Sequence, residues 1–265
     1  MPEGDTVWLA GRRLHDALAG HRLIGTDFRV PQLATTDLTG RVVCEVVSRG
    51  KHLLTRIDDD LTLHTHFRMD GTWHLYRPGD RWRGGPDWQV RVVLSTDQWQ
   101  AVGYRLPVVD LIARGDEHRV VGHLGPDILG SDWDPDEALR RLAADPDREI
   151  GEALLDQRNL AGIGNLYKAE SLFLARLSPW RRVGDVPDLA GVVENARRLL
   201  TINRRHPAQV TTGINRRGQE HWVYERNGKP CRRCRTMVQV AKQGAAPFDR
   251  LTYWCPTCQP ARSAR

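Results

Sequence analysis

The sequence predicts an α+β protein: an N-terminal helix, an antiparallel β-sandwich, a run of helices and a C-terminal β-hairpin pinned by four cysteines. Three observations carry this. The spacing of apolar residues changes from helical to alternating near residue 22 and returns to helical near residue 123. Turn clusters such as Asp58-Asp59-Asp60 and Pro78-Gly79-Asp80 cut the alternating stretch at short intervals. Two Cys-x2-Cys pairs, Cys231/Cys234 and Cys255/Cys258, then bracket a twenty-residue segment near the C-terminus.

Residues 5–18 form the first expected helix, capped by Asp5 or Thr6, with Val7, Leu9, Ala10, Leu14 and Leu18 as its apolar positions. Strands are expected at 42–47, 52–57, 61–66, 88–94 and 108–113, a spacing that suits a sandwich or barrel. Lone Cys44, flanked by valines, reads as a small buried hydrophobe. Helices are expected near 135–144, 149–157, 165–175 and 187–204. Gly228-Lys229-Pro230 reads as a turn and 248–254 as a strand around the cysteines, and residues 259–265 read as a frayed tail.

With 265 residues, 40% hydrophobic and 27% charged, the chain has enough apolar material to fold and too much to be disordered. No apolar run approaches the roughly 18 residues of a membrane span. Glu3, Asp5, Arg12, Arg13 and Asp16 leave no room for a signal-peptide core, so a cytoplasmic protein is expected. The net charge of +6 is unevenly spread. Residues 176–235 hold fourteen Arg or Lys against five Asp or Glu, a local +9, leaving −3 for the rest. Such a segment suits a polyanion such as DNA or RNA, and equally a solvated basic helix face.

The paired Cys-x2-Cys knuckles match a four-thiolate zinc site, and a closed set of four thiolates makes the zinc structural. Disulfides are a poor rival in a reducing compartment. At the other end, loss of Met1 would expose Pro2 as a secondary amine. An α-amino group titrates near 8, so it can attack an aldehyde-level carbon and form an iminium ion. Glu3 beside it can act as acid or base, although proline and an acidic residue are also an ordinary helix lead-in. Between 155 and 170, two helical patterns flank a turn with Gly162 and Gly164, and Asn165 opens the second helix. That geometry aims helix N-terminal amides at a phosphate, or forms a plain helical hairpin.

Met1-Pro2-Glu3-Gly4, Arg49-Gly50-Lys51, Gly162-Ile163-Gly164-Asn165 and the four-cysteine hairpin occur in this order in one family. Over residues 2–259 the sequence resembles the formamidopyrimidine-DNA glycosylase/endonuclease VIII family, nearest its actinobacterial endonuclease VIII-like members. The resemblance implies three parts: a catalytic β-sandwich domain over 1–128, a helix-two-turn-helix DNA-binding domain over 129–220, and a zinc finger with tail over 221–265. It implies a bifunctional glycosylase/AP lyase, acting as a monomer on damaged double-stranded DNA and associated with a bacterial nucleoid. Pro2 would be the nucleophile at C1′, Glu3 the proton donor that opens the sugar, and Lys51 the lysine that assists base loss and β-elimination. Arg250 would grip phosphates and assist δ-elimination, and Asn165 would bind phosphate. Met69, with Arg68 beside it, aligns with the loop that fills the gap left by a flipped nucleotide, core packing being the alternative for Met69. Arg105 and His123 fall near further DNA-contacting positions.

Two departures sharpen the expectation. Thr6 stands where many relatives carry a second glutamate, and residues 213–222 are shorter than the stretch that covers a flipped oxidised purine in formamidopyrimidine-DNA glycosylases. With Gly4 after the Pro-Glu pair, these favour oxidised pyrimidines. An oxidised-purine glycosylase and a non-catalytic zinc-dependent DNA-binding protein are the competing readings.

Overall fold

Val7, Leu14, Ala17 and Leu18 recur at helical spacing and are buried on one face of helix α1 (Gly4–Leu18). Gly11 lets that face settle onto a strand, because a Cβ there would lie 2.9 Å from Leu53 Cδ1. The computed structural model describes residues 2–247 and 249–261, and the chain divides into two units, one ending at His123 and one beginning at Leu124.

The first unit holds eight strands: β1 (Gly25–Phe28), β2 (Val43–Arg49), β3 (His52–Ile57), β4 (Leu61–His66), β5 (Thr72–Tyr76), β6 (Val90–Ser95), β7 (Gln100–Tyr104) and β8 (Val108–Ala113). They form two four-stranded antiparallel sheets, ordered β1-β6-β7-β5 and β2-β3-β4-β8. Leu53, Ile57, Leu63, Val92, Leu94, Ala101 and Val109 meet α1 in one apolar core. Each large side chain so buried contributes about 1.5–3 kcal/mol. Helix α2 (Glu117–Val121) ends the unit. It is fastened to the second sheet by Glu117, which takes two hydrogen bonds from Arg56 (2.8 and 2.9 Å) and one from the Thr62 hydroxyl (2.7 Å).

In the second unit, α3 (Pro135–Ala143) starts where the Asp134 carboxylate accepts from the Glu137 amide, with proline in the first turn. Helices α4 (Ile150–Leu155), α5 (Asn165–Leu174) and α6 (Leu189–Asn203) follow, α6 capped by Asp188. Strands β9 (Gln239–Gln243) and β10 (Arg250–Trp254) pair as an antiparallel hairpin. Among the described residues, no helix is long and apolar enough to cross a membrane.

Several expectations need correction. Glu3, not Asp5 or Thr6, is the cap residue of α1, and its side chain does not bond the helix amides. Residues 87–89 form a short 3-10 turn ahead of β6 instead of its first strand residues. Cys44 is exposed, because the register irregularity between Val43 and Glu45 turns it outward, and its thiol donates to the Asp58 carbonyl (3.2 Å). Gln259 is not frayed. It is buried, donating to the Leu177 carbonyl (2.9 Å) and accepting from the Cys255 amide (3.0 Å). Met1, Phe248 and residues 262–265 lie outside the described residues.

Candidate active site and metal centre

Pro2 is half-buried at the lead-in to α1, and Glu3 directly behind it is 0% exposed. A lead-in carboxylate normally faces water, so complete burial needs a reason beyond helix initiation. Asp5 in the first turn is also buried, and the Thr6 hydroxyl lies 3.5 Å from Asp5 Oδ1. The second carboxylate near this helix start is therefore at position 5, one residue before the position where a glutamate was missed.

Lys51 occupies the two-residue turn between β2 and β3. Arg49 pairs with His52, and Gly50 takes φ 58° while Lys51 stays out of the left-handed region, the pattern of a type II′ hairpin. The turn projects Lys51 past the end of the sheet beside a cluster of histidines, of which His123 was an expected DNA contact and His52 and His64 were not singled out by any motif. His52 and His66 are opposite each other across β3 and β4, and His64 shares their face two residues along. The His52 ring stands 4.7 Å from His66, 5.1 Å from His64 and 6.2 Å from exposed His123, centroid to centroid. Burial, then the neighbouring imidazoles and Lys51, push His52 down to about 3. Burial and the Lys51 charge bring His66 to about 4, and burial lowers His64. His52, His64 and His66 are therefore neutral at pH 7.

The loop after β4 is anchored by buried Phe67 and closed by Gly71, whose Cβ would collide with the Phe67 carbonyl at 2.7 Å. Arg68 adopts φ 46°, a strained setting for a non-glycine residue, and Met69 at the tip is 59% exposed. Core packing is thereby excluded for Met69. Arg105, also left-handed at φ 50°, spends its guanidinium on the protein: it donates to the Asp70 carbonyl (3.1 Å) and to Gln89 Oε1 (2.5 Å), steadying the base of the loop.

In the second unit, Gln157 staples the turn between α4 and α5. Its amide nitrogen donates to the Leu155 and Ile163 carbonyls and its oxygen accepts from Gly162 N–H, while Gly162 takes φ 108°. Asn165 opens α5 and donates to the Leu251 carbonyl (2.8 Å), leaving its second amide hydrogen for another acceptor. One turn later, fully buried Lys168 donates to Thr252 Oγ1 (2.6 Å), which donates to Gln243 Oε1 (2.9 Å). Two side chains of α5 thus grip β10 at the residues immediately after exposed Arg250. Glu170 was likewise missed. Its carboxylate collects the amides of Trp222, Val223 and Tyr224 and the Thr211 hydroxyl, ordering the chain after α6.

The sulfurs of Cys231, Cys234, Cys255 and Cys258 all lie within 4.8 Å of one another. Backbone N–H groups of Arg233 and Cys258 point at Cys231 Sγ and Cys255 Sγ (3.4 and 3.5 Å), which supports thiolate ligands. This is the one cluster among the described residues that can hold a metal ion in this way, and its donor set fits a soft tetrahedral cation.

Residues 1–111 match the formamidopyrimidine-DNA glycosylase N-terminal domain, and residues 124–200 match the formamidopyrimidine-DNA glycosylase H2TH domain. The chain is 58% identical to a probable endonuclease 8 2 of Streptomyces coelicolor, covering 100% of this chain and 96% of that protein. It is 44% identical to the DNA-(apurinic or apyrimidinic site) lyase Nei2 of Mycolicibacterium smegmatis, over 98% and 100% of the two chains. The fold is that of the Lactococcus lactis Fpg crystallised with DNA containing an abasic site, with a TM-score of 0.81, 22% identity, and 98% and 100% of the chains covered. The chain belongs to the formamidopyrimidine-DNA glycosylase/endonuclease 8 family.

Proposed function

We infer that the protein is a bifunctional DNA glycosylase and AP lyase of base excision repair, and we propose that it prefers oxidised pyrimidines. The observation that carries the chemistry is the fully buried Glu3 carboxyl behind a half-buried Pro2. With Met1 removed, the Pro2 nitrogen attacks C1′ of the damaged nucleotide and the bond to the base breaks. Glu3 protonates the ring oxygen as the sugar opens to an iminium ion. Loss of a C2′ proton then expels the 3′ phosphate, with Lys51 assisting, and Arg250 grips phosphate for the δ step.

The target nucleotide must leave the stack, at a cost of a few kcal/mol. Exposed Met69 on its strained loop suits the gap, with Arg68 beside it and Arg105 bracing the loop base. His123 and Asn165 supply further DNA contacts, Asn165 through its remaining amide hydrogen. The four cysteines hold zinc, which fixes the hairpin that carries Arg250. We propose a monomer in the cytoplasm, acting on the nucleoid, with residues 1–128 for catalysis, 129–220 for DNA binding and 221–265 for the zinc finger. Pyrimidine preference rests on the short segment after Thr212. Zinc removal should weaken DNA binding, and a zinc-free protein that binds and nicks normally would count against the metal's role.

Borohydride trapping on duplexes containing thymine glycol, 8-oxoguanine or an abasic site tests the reading. Strongest trapping on thymine glycol is expected. Preferred trapping on 8-oxoguanine opposite cytosine would move the protein to the purine branch, and no adduct even on the abasic duplex would leave a DNA-binding protein.

A further inference from the structure

Three large hydrophobic side chains of the first unit are exposed among the described residues: Ile24 at 60%, Met69 at 59% and Trp88 at 72%. A single apolar residue on a surface needs no explanation, but the strand register separates these three. Thr72 of β5 and Val90 of β6 both pair with Tyr104 of β7. The loop carrying Met69, the turn carrying Arg105 and the short 3-10 turn Asp87–Gln89 therefore all leave the first sheet at its Tyr104 end. Ile24 precedes Gly25, which pairs with Ser95, and Ser95 pairs with Gln100 at the opposite end. Trp88 thus stands at the same end as Met69, the side chain assigned above to the gap left by a flipped nucleotide.

The turn that presents Trp88 is held by its backbone. The carbonyls of Asp87, Trp88 and Gln89 accept in order from Arg29 Nη1 (3.3 Å), Arg91 Nη1 (2.9 Å) and the Arg105 amide (2.8 Å). The Asp87 carboxylate is taken up by the same Arg29 (2.8 Å). Arg105 ties the turn to the Met69 loop, because its guanidinium reaches both Gln89 Oε1 (2.5 Å) and the Asp70 carbonyl (3.1 Å). A locked backbone beneath an exposed indole means that binding does not have to order the turn. The turn after β7 offers no such group, since Leu106 is 2% exposed and Arg105 is committed to the protein.

We propose that Trp88 stacks on the base left unpaired opposite the flipped nucleotide, as a second, aromatic contact beside the Met69 wedge. In an intact duplex both faces of each base are covered by neighbours, so an indole finds a free face only where a step has been opened. Stacking on an aromatic side chain is open to any base, because every base has a π-face. Trp88 therefore recognises the opened state of the DNA and not its sequence, and it adds nothing to the binding of undamaged duplex. The inference rests on the wedge reading of Met69 given above.

The test uses the full-length zinc-loaded protein and a duplex with a tetrahydrofuran abasic analogue opposite 2-aminopurine, whose emission falls on stacking. Trp88→Ala should bind this duplex roughly tenfold more weakly, while binding undamaged duplex within about twofold of wild type. At saturating protein it should also leave the 2-aminopurine brighter than wild type does. Trp88→Phe should recover most of the affinity, and Ile24→Ala, at the other end of the sheet, should match wild type on both duplexes. Wild-type affinity and emission from Trp88→Ala on the tetrahydrofuran duplex would overturn the contact. Equal losses on damaged and undamaged duplexes would overturn it as well, and would make Trp88 a general DNA contact. Wild-type binding of the tetrahydrofuran duplex by Met69→Ala would instead overturn the wedge reading on which the proposal rests.

Discussion

On the β1-β6-β7-β5 sheet, the outward residues Val90, Val93, Val102 and Tyr104 are apolar and are roofed by Tyr76 and Trp82. On the β2-β3-β4-β8 sheet, the outward face carries His52, His64, His66, Arg56 and Thr62, the last two bonded by Glu117 of α2. Both sheets turn their inner faces to the same apolar core. One outer face is closed mainly by packing, with His74 as its imidazole, set edge-on to Tyr104 at 5.5 Å between ring centroids. The other is closed by hydrogen bonds and an ion pair, so its burial keeps imidazoles neutral beside Lys51. A sandwich can thus close its two outer faces by different means, one mainly apolar and the other rich in polar and titratable groups.

The largest effect should come from the core both sheets share. Leu63→Ala should cost about 2–5 kcal/mol in urea denaturation, because Leu63 is completely buried and its loss leaves a cavity. Glu117→Ala comes next, at about 1–3 kcal/mol, since it strands the half-buried Arg56 guanidinium, to which Glu45 is the remaining acidic partner. A smaller loss there would mean that α2 is held by packing, as the other sheet's cover is.

The third effect is pH dependence. His52 and His66 in the folded protein titrate well below 6.5, so the unfolded chain binds protons that the folded chain refuses. Their contribution is complete above pH 6.5 and is lost as pH falls toward about 4 and then 3. Melting curves should therefore show wild type losing more stability than His52→Phe between pH 7 and 4, and parallel losses would contradict the burial account. The smallest effect is at Cys44→Ala, which should stay within about 0.5 kcal/mol, because the side chain is exposed beyond the core.

Strands β3, β4 and β8 were legible to the residue, since their apolar residues alternate between bounding turns. Strands β1, β5 and β7 were not. β1 is four residues containing Gly25 and Asp27, and it is a strand because β6, distant in sequence, pairs with it. Cys44 was misplaced because its valine neighbours imply a regular strand, whereas the irregularity beside Glu45 alters which side chains face inward. At the candidate site, the four cysteines stand out by residue type and spacing alone, whereas the roles expected of Pro2, Glu3 and Lys51 come from the resemblance of their motifs to the family. The histidine cluster was available in principle from His64-x-His66 alternation and the hairpin that sets His52 opposite. Lys168, Glu170 and Gln157 were not, because their partners depend on tertiary structure.

The central claim is that the amine of Pro2, not the side chain of Lys51, forms the covalent bond to DNA. Borohydride-trapped adduct on an abasic duplex, digested and mapped by mass spectrometry, tests it directly. The account predicts the sugar remnant on the peptide that begins at Pro2, with Met1 gone. A remnant on the peptide containing Lys51, or an adduct formed by protein that retains Met1, would contradict it.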